Sequence, residues 1–247
     1  MLLHVPHAGT AIPDWVRRHL LLDDAALAAE VAALTDHRTD AIAAAAAERA
    51  ALRPWTLVNP VSRFAVDPER FPDEREEMAA VGMPAVYTRG TRGQPIRADD
   101  PAHRDALLAA FYAPWGRAVR DAVDARLAAT GRAVLLDVHS YPSAPLPYEL
   151  HADGPRPAVC LGTDPVHTPG RLVAAAREAF APVGTVGLDA PFAGTYVPLA
   201  HFRRDPRVLS LMVELRRDTY LTEPDGPVTA GFAQVVAALT ALVNACG

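Results

Sequence analysis

Val134-Leu135-Leu136-Asp137-Val138-His139-Ser140-Tyr141-Pro142 is an apolar run that stops on an acid, an imidazole and a hydroxyl. Branched and aliphatic residues in unbroken succession predict a strand buried on both faces rather than one alternating between core and water. Packing gives no reason for Asp137 and His139 at the end of such a strand. Histidine there is a candidate metal ligand, and a cation held at a strand end belongs to an enzyme that polarises a carbonyl or a water. Asp137, two residues before it, is the residue type that supports a ligating histidine from behind.

Other runs share this form. Leu2 to Val5 predicts a strand ending at Pro6-His7-Ala8-Gly9-Thr10; Thr56 to Asn59 is a second, and Val61 to Asp67 extends or follows it. Val159 to Leu161 ends in Gly162-Thr163-Asp164, Gly184 to Leu188 leads to Pro191-Phe192-Ala193-Gly194-Thr195-Tyr196, and Val208 to Val213 runs into Glu214. Between them lie helical patterns. Ile12 to His19 starts on Pro13 and Asp14. Asp24 to Ala51 is Ala-rich and broken near Leu34-Thr35-Asp36-His37. His103 to Ala129 repeats apolar residues at helical spacing, Thr168 to Phe180 follows Asp164, and Val228 to Cys246 closes the chain. Strands alternating with helices predict a single α/β domain with a mixed, mostly parallel sheet and helices on both faces. The stretch from Pro68 to Pro101, rich in Pro, Gly, Arg and acids, reads as a long surface excursion within that domain.

Composition sets the outer limits. With 247 residues, half of them hydrophobic, the chain can bury one large core. A net charge of -5 and no basic stripe argue against nucleic acid as a partner. No apolar run is long enough to span a bilayer, and the first residues lack the form of a secretory signal. Two distant cysteines, Cys160 and Cys246, give no disulfide framework or metal knuckle. A cytoplasmic location follows as the expectation. Neither a Gly-x-x-x-x-Gly-Lys loop nor a Gly-x-Ser-x-Gly elbow is present, which disfavours nucleotide cofactors and a serine nucleophile of that kind.

Parallel strands would bring the polar residues past their ends, His7, Arg63, His139, Asp164 and Glu214, to one rim, where open α/β sheets hold their ligands. His7 and His139 then offer imidazoles from two strands. Asp36 and Asp40, four apart, would share a helix face; one could ligate and the other support a ligand, or Asp36 could simply cap the helix after it. Glu214, at the edge of a buried run, is either paired with Arg216 or Arg217 or kept for proton transfer, and partial burial would raise its pKa into a useful range. Arg63 has the fork that grips a substrate carboxylate, unless Asp67 or Asp40 occupies it. Arg89 is the arginine of the excursion singled out as a further substrate contact.

In order along the chain, Pro6-His7-Ala8-Gly9-Thr10 with Ile12-Pro13, Thr35-Asp36 with Asp40, Ser62-Arg63-Phe64-Ala65-Val66-Asp67, Leu136 to Pro142, Gly162-Thr163-Asp164, Pro191 to Tyr196, and Glu214-Leu215-Arg216-Arg217 resemble the N-formylglutamate amidohydrolase family. The resemblance implies hydrolysis of N-formyl-L-glutamate to glutamate and formate with a divalent metal, usually Zn2+. It also implies a phosphorylase/hydrolase-like fold similar to that of the zinc carboxypeptidases. It makes His7, Asp36 and His139 the metal ligands and Glu214 the general base. For a carboxylate-bearing small substrate, His201 or Tyr196 would then stabilise the oxyanion or close the site. Three features depart from the pattern. Thr10 stands where the carboxypeptidases carry a ligating Glu; Leu199-Ala200-His201-Phe202 replaces an Arg-His-Tyr; and Glu69-Arg70 stands where Asn-Arg is common. A carboxypeptidase-like hydrolase of a peptide or cell-wall fragment, and a non-catalytic binding protein on the same scaffold, are the alternatives.

Overall fold

The computed structural model describes residues 1–247. Its centre is a six-stranded sheet in the order β2-β1-β3-β6-β4-β5, formed by β1 (Leu2–Val5), β2 (Trp55–Val58), β3 (Ala133–Tyr141), β4 (Val159–Gly162), β5 (Val186–Leu188) and β6 (Val208–Arg216). The two nine-residue strands, β3 and β6, lie side by side in the middle, buried almost throughout. This is where unbroken apolar runs belong, because helices cover both faces.

On one face α3 (Thr39–Arg49), α6 (Gly170–Phe180) and α7 (Gly231–Cys246) pack against Leu3, Val5, Leu136, Val138, Leu211 and Val213 in a single core. Truncating a fully buried aliphatic side chain in such a core costs about 2–5 kcal/mol. On the other face α5 (Ala113–Thr130) lays Val119 and Val123 over Leu2, Leu135 and Val208. The expected long helix is present as α4 (Pro101–Leu107), one π-helical turn at Leu108–Tyr112 and then α5. The broken Ala-rich segment is α2 (Asp24–Leu34) and α3, parted where Arg38 adopts a left-handed φ of 66°. A short helix, α1 (Asp14–Arg17), precedes them.

Two expectations need correction. First, β4 runs antiparallel to β6, so Asp164 is carried toward the start of β6, away from the rim that holds His7, His139 and Glu214. The reason is visible between β3 and β4. No helical pattern separates them, only a polar, Pro-rich loop, and a parallel return needs a crossover of a dozen or more residues that is usually a helix. Second, the 68–101 stretch is not merely a surface excursion. Met78, Met83, Tyr87 and Ile96 from it join Leu20, Leu27, Leu34 and Phe64 in a core of their own. It is a folded cap, and the Val61–Asp67 segment leading into it forms only a single bridge, Ala11 to Val61, rather than a strand.

Candidate active site

Side-chain alternation decides which residues share a face. Leu3, Val5, Leu136 and Val138 point into the large core, so His4, Asp137 and His139 point the other way, beneath the cap. The parallel register sets His4 beside Asp137 and His139 beside Glu214. His7 lies just past β1 in a loop that passes against Asn59 and Pro60 so closely that a Cβ on Gly9 would lie 2.4 Å from the Pro60 carbonyl carbon. Asp36 enters from the break between α2 and α3, its backbone N–H bonded to the His7 carbonyl at 3.0 Å.

These placements bring three donor atoms together. His7 Nδ1 and His139 Nδ1 are 3.3 Å apart, and Asp36 Oδ2 lies 3.0 Å from His139 Nδ1 and 3.6 Å from His7 Nδ1. All three residues are buried. The far side of each ring faces carboxylates. His7 Nε2 hydrogen-bonds Asp67 Oδ1 at 2.9 Å; His139 Nε2 sits 3.0 Å from Asp137 Oδ1 and 3.2 Å from Glu69 Oε2, at angles too bent for a straight hydrogen bond. Asp67 at His7 Nε2 holds that ring's proton there, so the His7 Nδ1 lone pair faces His139 Nδ1 and the Asp36 carboxylate. Two imidazole nitrogens and a carboxylate oxygen converging in a buried space are a donor set that a cation satisfies, and imidazole backed by carboxylate is the usual support of a metal ligand. The residues present therefore fit a divalent ion.

The electrostatics agree with this grouping. Burial would raise the pKa of Asp36, but His139 and His7 hold it far below the ordinary carboxylate value. Burial would likewise raise that of Asp67, and Arg63 and His7 overcome it. Glu214 behaves oppositely. Burial pushes its pKa up to about 7, and its Oε2 has no partner. Neither following arginine pairs with it. Arg216 bonds Asp218 at 2.7 Å, while Arg217 bonds Ser140 Oγ at 3.2 Å and the Ala33 carbonyl at 2.9 Å and stands 3.7 Å from Asp36. A buried carboxyl without a partner beside a metal-type cluster is a group available for proton transfer.

These groups line a cavity of about 300 Å³ that also includes Arg63, Arg70, Tyr148 and Arg217. Arg63 proves to be committed elsewhere. It grips Asp67 Oδ2 at 2.6 Å, donates to Tyr87 Oη at 2.8 Å and reaches the Leu34 carbonyl. Arg70 is freer. It stands 3.5 Å from Asp67 and 3.8 Å from Glu76, and its Nε has no hydrogen-bond partner.

Residues 1–221 match the family model described as FGase, N-formylglutamate amidohydrolase. The chain belongs to the N-formylglutamate amidohydrolase family. Membership makes it an amidohydrolase. Among solved structures, the chain is similar to N-formylglutamate amidohydrolase from Ralstonia eutropha JMP134, with a TM-score of 0.81 and 22% identity over 98% of this chain and 91% of that one. A gene product from Agrobacterium tumefaciens aligns with a TM-score of 0.65 and 20% identity over 88% and 80%. At these identities the likeness carries the fold. None of the curated proteins matches.

Within this amidohydrolase, His7, Asp36, His139, Asp137, Glu214 and Arg63 come together as the sequence suggested. Four expected participants do not. Asp40 is exposed, because Asp36 lies in the break before α3 and the two never share a helix face. Arg89 folds back on its own turn, donating to the Gly93 carbonyl at 2.6 Å. His201 pairs with Asp124 at 2.8 Å on the outer side of α5. Tyr196 stacks on His4 and lines a neighbouring cavity instead. In the sequence Glu69 and Arg70 stand out only as departures from the family pattern, and Arg217 only within the Glu214-Leu215-Arg216-Arg217 motif and as a possible partner for Glu214; His4 gives just the weak signal of an imidazole inside an apolar strand. Cys160 is an inert core thiol, its pKa pushed up to about 11 by burial.

Proposed function

We propose that this chain is a metal-dependent amidohydrolase of a small N-acyl amino acid, N-formyl-L-glutamate being the first candidate. The observation that carries the reading is the convergence of His7 Nδ1, His139 Nδ1 and Asp36 Oδ2 beside a Glu214 oxygen that has no partner. A divalent cation, zinc by the family resemblance, supplies when bound a Lewis acid that polarises the amide carbonyl and acidifies water. His7, Asp36 and His139 would hold it. Glu214 accepts a proton from the attacking water and returns it to the departing nitrogen. The C–O bond forms and the C–N bond breaks, leaving formate and the free amine. Arg70, with an unused N–H, binds a substrate carboxylate; Arg63 holds Asp67, and Asp67 holds His7.

The cavity, about 300 Å³, lies at the small end of ligand sites, which suits an amino-acid-sized substrate better than a peptide. The deciding experiment is metal content of the purified protein together with formate release from N-formyl-L-glutamate, N-acetylglutamate and a short peptide run alongside. Stoichiometric metal and chelator-sensitive formate release are expected. A protein with no metal, and no recovery on adding zinc or cobalt, would turn the reading toward a non-catalytic binding protein.

A further inference from the structure

A second trio of possible ligands, His4, Glu69 and Asp137, lies directly behind the first. Trp115, on α5, decides what it does. Its Nε1 is 3.2 Å from His4 Nε2. An indole N–H can only donate, so Nε2 must be the accepting nitrogen of His4. The neutral ring therefore carries its proton on Nδ1 and donates it to Asp137 Oδ1 at 2.8 Å. The ring has no exposure and is stacked on Tyr196 at 4.5 Å and Trp115 at 5.5 Å. With one nitrogen protonated and the other occupied by a donor, His4 has no lone pair for a cation. The second trio is thus not a second metal site.

Burial works against a charge on His4, but Asp137 and Glu69 outweigh it and raise its pKa. A second proton would have to sit on Nε2, head-on to the indole N–H, and that contact is what opposes it. Asp137 accepts the His4 proton at Oδ1 and the Tyr196 backbone N–H at 3.1 Å through Oδ2, and the same Oδ1 stands 3.0 Å from His139 Nε2.

We propose that Trp115 and His4 are positioning residues of the candidate metal centre: they fix the Asp137 carboxylate, whose Oδ1 lies 3.0 Å from His139 Nε2, behind the ring that offers its Nδ1 to the cation. The inference rests on the metal-centre reading above and adds to it a chain of three residues, none of them a ligand.

Long-range proton–nitrogen NMR of histidine-labelled protein tests the first half without any variant. His4 is expected as a neutral ring, protonated on Nδ1 with Nε2 accepting, in metal-free and zinc-loaded protein alike. A proton on Nε2 at neutral pH overturns the inference. Chelator competition for zinc tests the second half. His4→Phe should bind zinc about 10- to 100-fold more weakly, the range for loss of supporting interactions. His4→Asn keeps an N–H near the Nδ1 position and should recover most of that loss. Trp115→Phe should lose a smaller factor and let His4 take up a second proton. Unfolding of the metal-free proteins reports whether each variant is folded; if His4→Phe is not, Trp115→Phe carries the comparison. Unchanged zinc affinity in the folded variants overturns this inference alone. Wild-type protein that binds no divalent cation overturns the metal-centre reading and this inference with it.

Discussion

His139 and Glu214 are registered partners on the two central parallel strands, so the imidazole and the carboxyl share one face of the sheet beneath the cap. No arginine neutralises Glu214. Replacing it with Gln keeps the shape and removes the base. Glu214→Gln should lower kcat by about 10²–10⁴-fold, the usual weight of a general acid–base group, with zinc content unchanged. Turnover near the wild-type rate in zinc-loaded variant protein would remove Glu214 from this role.

The raised pKa of Glu214 has a thermodynamic signature in metal-free protein. Its folded value, about 7, lies above its ordinary 4.5. The folded state thus binds the proton more tightly than the unfolded chain. The contribution to stability is fully present below pH 4.5 and is lost as the pH rises through 7. Gln mimics the protonated acid. Under chelator, Glu214→Gln should therefore gain stability relative to wild type between pH 4.5 and 7, by an amount on the order of 3 kcal/mol. Parallel denaturation curves at pH 4 and pH 8 check this; a constant difference between the two proteins would contradict it.

The facing Nδ1 atoms of His7 and His139 predict a ligand-linked thermal shift. Zinc at about 100 times its dissociation constant should stabilise the wild type by about 2.7 kcal/mol. His139→Ala and His7→Ala should show little of this shift. Scanning calorimetry with and without chelator measures it.

Arg63 and Arg70 should separate by phenotype. Arg63→Met strands the buried Asp67 carboxylate and should cost about 3 kcal/mol or more in folding stability. Arg70→Met should leave stability nearly intact and raise KM for a carboxylate substrate about 10- to 100-fold, the weight of a hydrogen bond to a charged group. The opposite pattern would return the substrate contact to Arg63.

Asp40→Ala and Arg89→Ala serve as controls. Both residues lie outside the cavity, and surface changes of this kind stay within about 0.5 kcal/mol. Steady-state kinetics should match the wild type.

The strands were legible because their signal is local. Leu2–Val5 and Val208–Val213 are unbroken apolar runs, and the residues that end them must lie at strand ends. His7, His139 and Glu214 could be found for that reason. The direction of β4 was recoverable too, since the missing crossover helix before it is visible in the residues 142–157. The division of labour between Arg63 and Arg70 was not. It depends on Tyr87 and Asp67 filling one guanidinium and not the other, a contact pattern that no spacing encodes. The cap is not legible because its apolar residues, Met78, Met83, Tyr87 and Ile96, are scattered among charges without period. Asp40 failed as a candidate because the four-residue spacing presumes a continuous helix, and Arg38 breaks it.

The interleaved strand order also has a consequence for biosynthesis. His7 and His139 are 132 residues apart, and Glu214 and Arg217 arrive later still. Domains fold from the N-terminal end as the chain is made. β1 and β2 leave the ribosome long before β3 and β6 exist to stand between them and the rest of the sheet. A nascent chain of a hundred residues carries His7, Asp36 and Asp67 but not His139, the third member of the trio. On the proposed reading, a product truncated before His139 would lack one of the three groups and be unable to hold the ion.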